Sequence, residues 1–122
     1  NIFYLGFKNL REISILYDLS EIIVLPSDYG ETNGNVLLES SEYNCSVIAS
    51  NRVGAHPEII KNQTGLIFNA PEKKELTKQI QKLANDEILR NKFKRNNLEF
   101  SKVVQPKYAS DRIIEILKNY EL

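Results

Sequence analysis

Hydrophobic positions along the chain fall into short runs whose spacing alternates between strand-like and helix-like. Residues 2–7, "IFYLGF", are almost wholly apolar and predict a buried strand that ends at Gly6-Phe7. From 10 to 19, Leu10, Ile13, Leu16 or Tyr17, and Leu19 recur near one face of a helix. "EIIVLP", 21–26, is a second strand, apolar on both faces and ended by Pro26, as a strand covered by helices on either side would be. A helix over 34–43 should follow, closed by Asn44, which tolerates the left-handed conformation needed just past a helix end. "SVIAS" at 46–50 and "GLIFN" at 65–69 are the third and fourth strands, the last entered through Thr64-Gly65. Pro57-Glu58-Ile59-Ile60 makes a short helical turn between them.

Beyond Pro71 the spacing turns helical throughout. Proline suits a first helical position, and Leu76, Ile80 and Leu83 share a face. Asp86 can cap a second helix carrying Ile88, Leu89 and Phe93; Pro106 interrupts the pattern before a last helix with Tyr108, Ile113, Ile114, Leu117 and Tyr120. Strands alternating with helices predict an α/β fold with a Rossmann-like, doubly wound parallel sheet of four strands, in which 1–70 form the core and 71–122 a helical tail. In such a sheet ligands bind beyond the carboxyl ends of the strands.

Composition changes this picture little. At 122 residues, 42% apolar and 26% charged, the chain suits one soluble domain, and its 16 basic and 16 acidic side chains argue against obligate nucleic-acid binding. The balance hides an asymmetry: residues 1–60 hold three basic and eight acidic side chains, residues 61–122 thirteen and eight. Lys73, Lys74, Lys78 and Lys82 are spaced like a solvent face, with peripheral contact to a membrane surface as the alternative. A single cysteine, Cys45, excludes an internal disulfide, reads as a small buried apolar residue, and has no His–Cys cluster beside it to suggest a metal. The glycosylation-like triplets at Asn44 and Asn62 read as chance, because no signal peptide opens the chain. No run approaches the ~18 apolar residues of a membrane span, which favours the cytoplasm, free or at the inner face of the membrane. The start at Asn1 and the absence of methionine read as a piece of a longer protein.

The candidate chemistry lies in 27–40, "SDYGETNGNVLLES", at the end of the second strand. A helix starting near Gly34 points its first N–H groups at the strand-end crevice, where they suit phosphate, and Gly34 lets a ligand approach the backbone. Glu31 stands just before that helix, and Glu39 about 7.5 Å along its axis. Each carboxylate can accept hydrogen bonds from sugar hydroxyls, so a ligand with phosphates in the middle and a sugar at each end would use all three features. The plainer reading makes Glu31 a helix-dipole partner and Glu39 a solvated helix residue.

"LPSDYGETNGNVLLES", "SVIASNRVGAHPEII" and "TGLIFN" together resemble the carboxyl-terminal, donor-binding domain of retaining GT-B glycosyltransferases of family 4, over about residues 1–70 and loosely beyond. The resemblance implies transfer of a sugar, with retained anomeric configuration, from a nucleoside-diphosphate donor, UDP- or GDP-linked, to an acceptor glycan, lipid or small molecule that the sequence does not specify. No metal or other cofactor is implied. Glu31 takes the place of the first family glutamate, which binds hydroxyls of the transferred sugar, and is the residue expected to act in catalysis. Glu39 takes that of the second, which binds the ribose. Thr32 and the backbone of Asn33, Gly34, Asn35 and Val36 match the helix start that meets the diphosphate; Gly6 and Phe7 match the region bordering the base.

Departures bear on the donor sugar: Asn33 stands for the usual aromatic and Asn35 for an apolar residue. Asn44, Ser46 and Asn51 replace a common Gly, Pro and Asp. The family's domain has two further strands upstream, bearing the cations that clamp the diphosphate and lying between the strands at 2–7 and 21–26. No Arg or Lys here matches them. The piece is therefore expected to be inactive alone, and strand 2–7 to pair with 21–26 or with another chain. The family gives no role to the position of His56, so this lone histidine is read as a surface or loop residue. Two other readings stay open: a sugar-nucleotide epimerase of the same fold, and a non-catalytic α/β interaction module.

Overall fold

The computed structural model describes residues 1–104 and 106–119, apart from the side chains at 106, 108 and 109. Tyr120 and the side chain of Tyr108, assigned above to the last helix, thus lie outside the described residues. The element order is α1 (Leu10–Asp18), β1 (Ile22–Leu25), α2 (Asn35–Ser41), β2 (Ser46–Ser50), α3 (His56–Asn62), β3 (Gly65–Phe68), α4 (Lys73–Asn85), α5 (Glu87–Val104) and α6 (Pro106–Asn119).

Three parallel strands in the order β1-β2-β3 form the sheet, with Val24 opposite Ile48 and Ile48 opposite Leu66. Alternate side chains of β2 serve the two faces, as the period of two demands. Val47 and Ala49 pack with Leu37 of α2, Val53, and Ile59 of α3. Ile48 turns the other way, into a cluster of Phe68, Ala70, Leu83 of α4 and Phe93 of α5. Helices cover both faces, so the sheet is doubly wound, and the helical tail closes one of them with Leu83 and Phe93.

The sheet has three strands and not four. Residues 1–9 carry no regular secondary structure, and Ile2, Phe3, Tyr4, Leu5 and Phe7 are exposed. An apolar run is a strand only where a neighbour takes its N–H and C=O groups, and nothing in the sheet pairs with this one. The predicted apolar face of α1 is likewise mostly outside the core: Leu10 is 82% and Leu19 77% exposed, and only Tyr17 is buried, at 9%. The helix itself is well specified, because Asn9 and Glu12 form a reciprocal capping box, each side chain 3.0 Å from the other's backbone N–H.

Smaller boundary corrections follow from local geometry. Helix α2 is shorter than the predicted 34–43, since Gly34 is its N-cap in the left-handed region (φ 82°) and its last residue is Ser41. Pro71 does not open α4: it follows a cis peptide bond and precedes Lys73 by two residues. Ile88, placed with the apolar face of α5, is exposed, whereas Leu89 and Phe93 pack inward. Asn44 adopts the expected left-handed conformation (φ 57°), and Asp86 accepts from the N–H of Leu89 at 2.9 Å, as a cap should.

The acidic first half and basic second half meet at the foot of β1. Glu21 accepts from Lys94 Nζ at 2.6 Å and lies 3.5 Å from Arg90 Nε, which ties α5 to the amino end of the sheet. The Lys94 hydrogen bond and charge, helped by Arg90, hold the Glu21 carboxyl below its ordinary range. Arg90 also donates to the carbonyls of Leu83 and Ala84, closing the end of α4. No helix among the described residues is long and apolar enough to cross a membrane.

Candidate functional site

Two loops at the carboxyl ends of the strands are stitched together by backbone. After β1 the chain runs through 27–34 to α2; after β2 it runs through 51–55 to α3. Glu31 and Val53 form an isolated parallel bridge, the N–H of Gly54 donates to Glu31 O at 2.8 Å, and that of Ala55 to Asn33 O at 3.2 Å. This close approach requires glycine, because a Cβ at Gly54 would lie 2.0 Å from Thr32 O. Ser50 adds a second tie by donating its hydroxyl to Ser27 O, and His56 Nδ1 lies 2.8 Å from Val53 O. Glu31 is thus carried on a loop fixed from below, not on a free one.

The Glu31 side chain turns to the start of α2, where Oε1 accepts from the N–H of Gly34 at 3.1 Å. That contact satisfies one of the donors a helix start leaves open. Gly34 itself is buried, and a Cβ there would lie 2.6 Å from Val53 Cγ1, so both its φ and its surroundings exclude a side chain. Thr32, Asn33, Asn35 and Val36 are exposed around it, with Asn33 Nδ2 donating to Asn35 Oδ1 at 2.8 Å. Thr32, Asn33, Asn35 and Val36 thus present an exposed surface around the buried Gly34 at the N-terminus of α2.

Glu39 lies one helical turn further, on the face of α2 that looks toward α1. Its Oε2 accepts from the Tyr17 hydroxyl at 3.2 Å. Tyr17, Glu39, Glu42, Tyr43, Leu10 and Ile13 help to line a cavity of about 330 Å³ between α1, α2 and the end of α5. Glu31 is not among its lining residues, so the two glutamates do not share this cavity. Asn33 borders a separate, largely apolar hollow of about 270 Å³ with Leu37, Gly54, Ile59 and Phe100. Burial foremost, then the Glu39 charge and hydrogen bond, push the Tyr17 hydroxyl up to about 12. It therefore remains a donor at any neutral pH.

Gly6 and Phe7 are not brought to this region. Phe7 is 97% exposed, and a Cβ at Gly6 would meet nothing within 4 Å. The strand end expected to hold them is not formed. Cys45 is fully buried and donates to the carbonyls of Tyr17 (3.1 Å) and Ser20 (3.2 Å), while burial raises its thiol pKa; it is a structural thiol.

A family model described as glycosyl transferases group 1 matches residues 1–100. The chain belongs to that family. A curated relative, the capsular polysaccharide biosynthesis glycosyltransferase CapM of Staphylococcus aureus, is 30% identical over 112 residues, covering 92% of this chain and 28% of CapM. The chain thus spans little more than a quarter of that glycosyltransferase. Among solved structures, sucrose-phosphate synthase from Thermosynechococcus elongatus superposes with a TM-score of 0.80 at 23% identity, over 97% of this chain and 29% of that one. The C-terminal domain of the group 1 glycosyl transferase LpcC from Francisella tularensis gives 0.68 at 25% identity, over 84% of this chain and 51% of that one. These neighbours share the GT-B glycosyltransferase fold.

For a group 1 glycosyltransferase, the residues that sequence reasoning did not single out are those that hold the glutamates. Tyr17 reads in the sequence as one apolar helix position among several, and Gly54 as one loop glycine. Tyr17 carried a signal nonetheless: a tyrosine on a helix's buried face needs a partner for its hydroxyl. Which partner it finds depends on how α1 and α2 lie side by side.

Proposed function

We propose that this chain is the donor-binding part of a retaining glycosyltransferase, and that it takes a UDP- or GDP-linked sugar for transfer to an acceptor glycan, lipid or small molecule. One observation carries the reading. Glu31 precedes α2 and Glu39 stands on it, and among the described residues each commits a single carboxylate oxygen, Glu31 to the Gly34 N–H and Glu39 to the Tyr17 hydroxyl. The second oxygen of each remains to accept from a ligand hydroxyl, and a carboxylate oxygen is a strong acceptor for that purpose. Membership in the glycosyl transferases group 1 family, and the role of CapM in making a capsular polysaccharide, support the same reading.

In this arrangement Glu31 meets the hydroxyls of the transferred sugar and Glu39 those of the ribose. Between them lie Thr32, Asn33, Gly34 and the N–H groups of Asn35 and Val36, which have no acceptor inside the helix. In the reaction the bond from the anomeric carbon to the diphosphate oxygen breaks and a bond to the acceptor oxygen forms. The acceptor's proton leaves with the diphosphate. Negative charge grows on the departing phosphate, next to donors already in place, which is where preorganised dipoles lower a barrier.

The test is a ligand-observed NMR titration of the chain with UDP, GDP and their common sugar conjugates, repeated on Glu31→Gln and Glu39→Gln. Selective binding that weakens about three- to tenfold in Glu39→Gln supports the donor site and names the base. Equal affinity in wild type and both variants would instead favour a module whose glutamates only cap and brace α2. Binding of nucleotide sugars without any transfer by the complete protein would favour the epimerase.

A further inference from the structure

We infer that Tyr17 is a positioning residue of the donor site: its hydroxyl holds the Glu39 carboxylate in the orientation that receives the ribose. The inference rests on the donor reading above. It begins from the freedom a glutamate normally has. A side chain on an exposed helix face samples many rotamers, and ordering one on binding costs on the order of a tenfold loss in affinity. A fixed donor that already engages one oxygen removes much of that loss, and leaves the other oxygen pointing away from the donor.

Tyr17 is such a donor, because every part of it is held. Its ring is 9% exposed and lies 5.5 Å from that of Tyr43, tilted by 41°. Its carbonyl accepts from the buried Cys45 thiol at 3.1 Å, which anchors the end of α1 to the foot of β2. The hydroxyl then reaches across to Glu39 Oε2 at 3.2 Å. Glu39, by contrast, is exposed, and has no other hydrogen bond among the described residues that would fix it. Orientation therefore passes from Tyr17 to Glu39 and not the reverse. The raised ionisation of the hydroxyl supports this, since Tyr17 donates and Glu39 accepts throughout the neutral range. Helix α1, whose Leu10 and Ile15 are exposed, gains by this contact a part in the site.

A merely structural Tyr17 would brace α1 against the body and affect binding only through stability. The two roles separate in a double-mutant cycle read by NMR at millimolar UDP or GDP, whichever the wild-type chain binds better. Tyr17→Phe keeps the ring and removes the hydroxyl. It is expected to weaken nucleotide binding about three- to tenfold in the wild-type background and less than twofold in a Glu39→Ala background. An equal loss in both backgrounds, or none in the first, overturns the inference. If neither the wild-type chain nor the complete protein binds either nucleotide, the donor reading itself fails and takes the inference with it. Should Tyr17→Phe fail to fold, a spectrophotometric titration of the tyrosines in wild type and Glu39→Gln decides. The Tyr17 ionisation near 12 should move down in the variant. An unmoved ionisation would mean that the contact is absent in solution.

Discussion

Residues 2–7 and 46–50 are two short apolar segments that would pass equally well for strands, yet one is fully exposed and the other fully buried. "SVIAS" lies in the middle of the sheet, with β1 and β3 taking its backbone groups and helices on both faces taking Val47, Ile48 and Ala49. "IFYLGF" has more apolar surface to bury and buries almost none, because no strand lies beside it. Burial of apolar area stabilises a segment only when its polar backbone is satisfied at the same time. Apolar content is thus necessary for a strand, and the neighbour is what makes it one.

The largest effect that sharpens this contrast is truncation at matched residues. Ile48→Ala, in the centre of the core, should cost about 2–5 kcal/mol in urea denaturation. Ile2→Ala should leave the midpoint within about 0.5 kcal/mol. If the two cost the same, residues 2–7 are packed in solution and the contrast is wrong.

Next in size is the loop that carries Glu31. Gly54→Ala pushes a methyl group into Thr32 O and should lower stability by about 1–3 kcal/mol and, on the proposed donor reading, loosen nucleotide binding. A variant with wild-type melting and wild-type affinity would show that the 51–55 loop does not hold Glu31 in place.

Alkaline pH probes the one residue of α1 that reaches the core. The Tyr17 hydroxyl is raised from its ordinary value of 10 to about 12 on folding, so the folded chain keeps this proton more tightly than the unfolded one. Its contribution is fully present below pH 10 and is lost as pH rises toward 12. Discounted for solvent screening, the loss should be about 1 kcal/mol. Chemical denaturation at pH 9 and pH 11.5 measures it, and Tyr17→Phe should flatten the difference. The smallest effect is expected from Phe3→Ser with Phe7→Ser, which together should change stability by less than about 0.5 kcal/mol. A clear destabilisation there would restore a packing role to the segment.

Much of the backbone around the candidate site could be read from local signals because those signals are covalent or nearest-neighbour in origin. Pro26 follows directly on the last residue of β1, Asn44 takes the left-handed turn before β2, and Asp86 caps α5. The order and spacing of Glu31, Gly34 and Glu39 around one helix start could likewise be read directly, since 3.6 residues per turn convert sequence distance into geometry. Errors arose where a residue's fate depended on something far along the chain. Leu10 and Leu19 have the right spacing for a buried face, but no element lies over them. Pro71 has the right residue type for a first helical position, yet the helix starts two residues later.

The sequence by itself determined the α/β class, all three strands of the sheet with the helices between them, and the placing of Glu31 before α2 and Glu39 on it. Those features follow from periodicity and backbone preference, which act over a few residues. Only the tertiary structure decided which apolar runs found partners. It also decided that Leu83 of α4 and Phe93 of α5 close one face of the sheet, that Gly54 braces the Glu31 loop, and that Tyr17 meets Glu39 across 22 residues of chain. Such contacts depend on how separate elements pack, and packing is settled by the shapes and polar needs of all of them together.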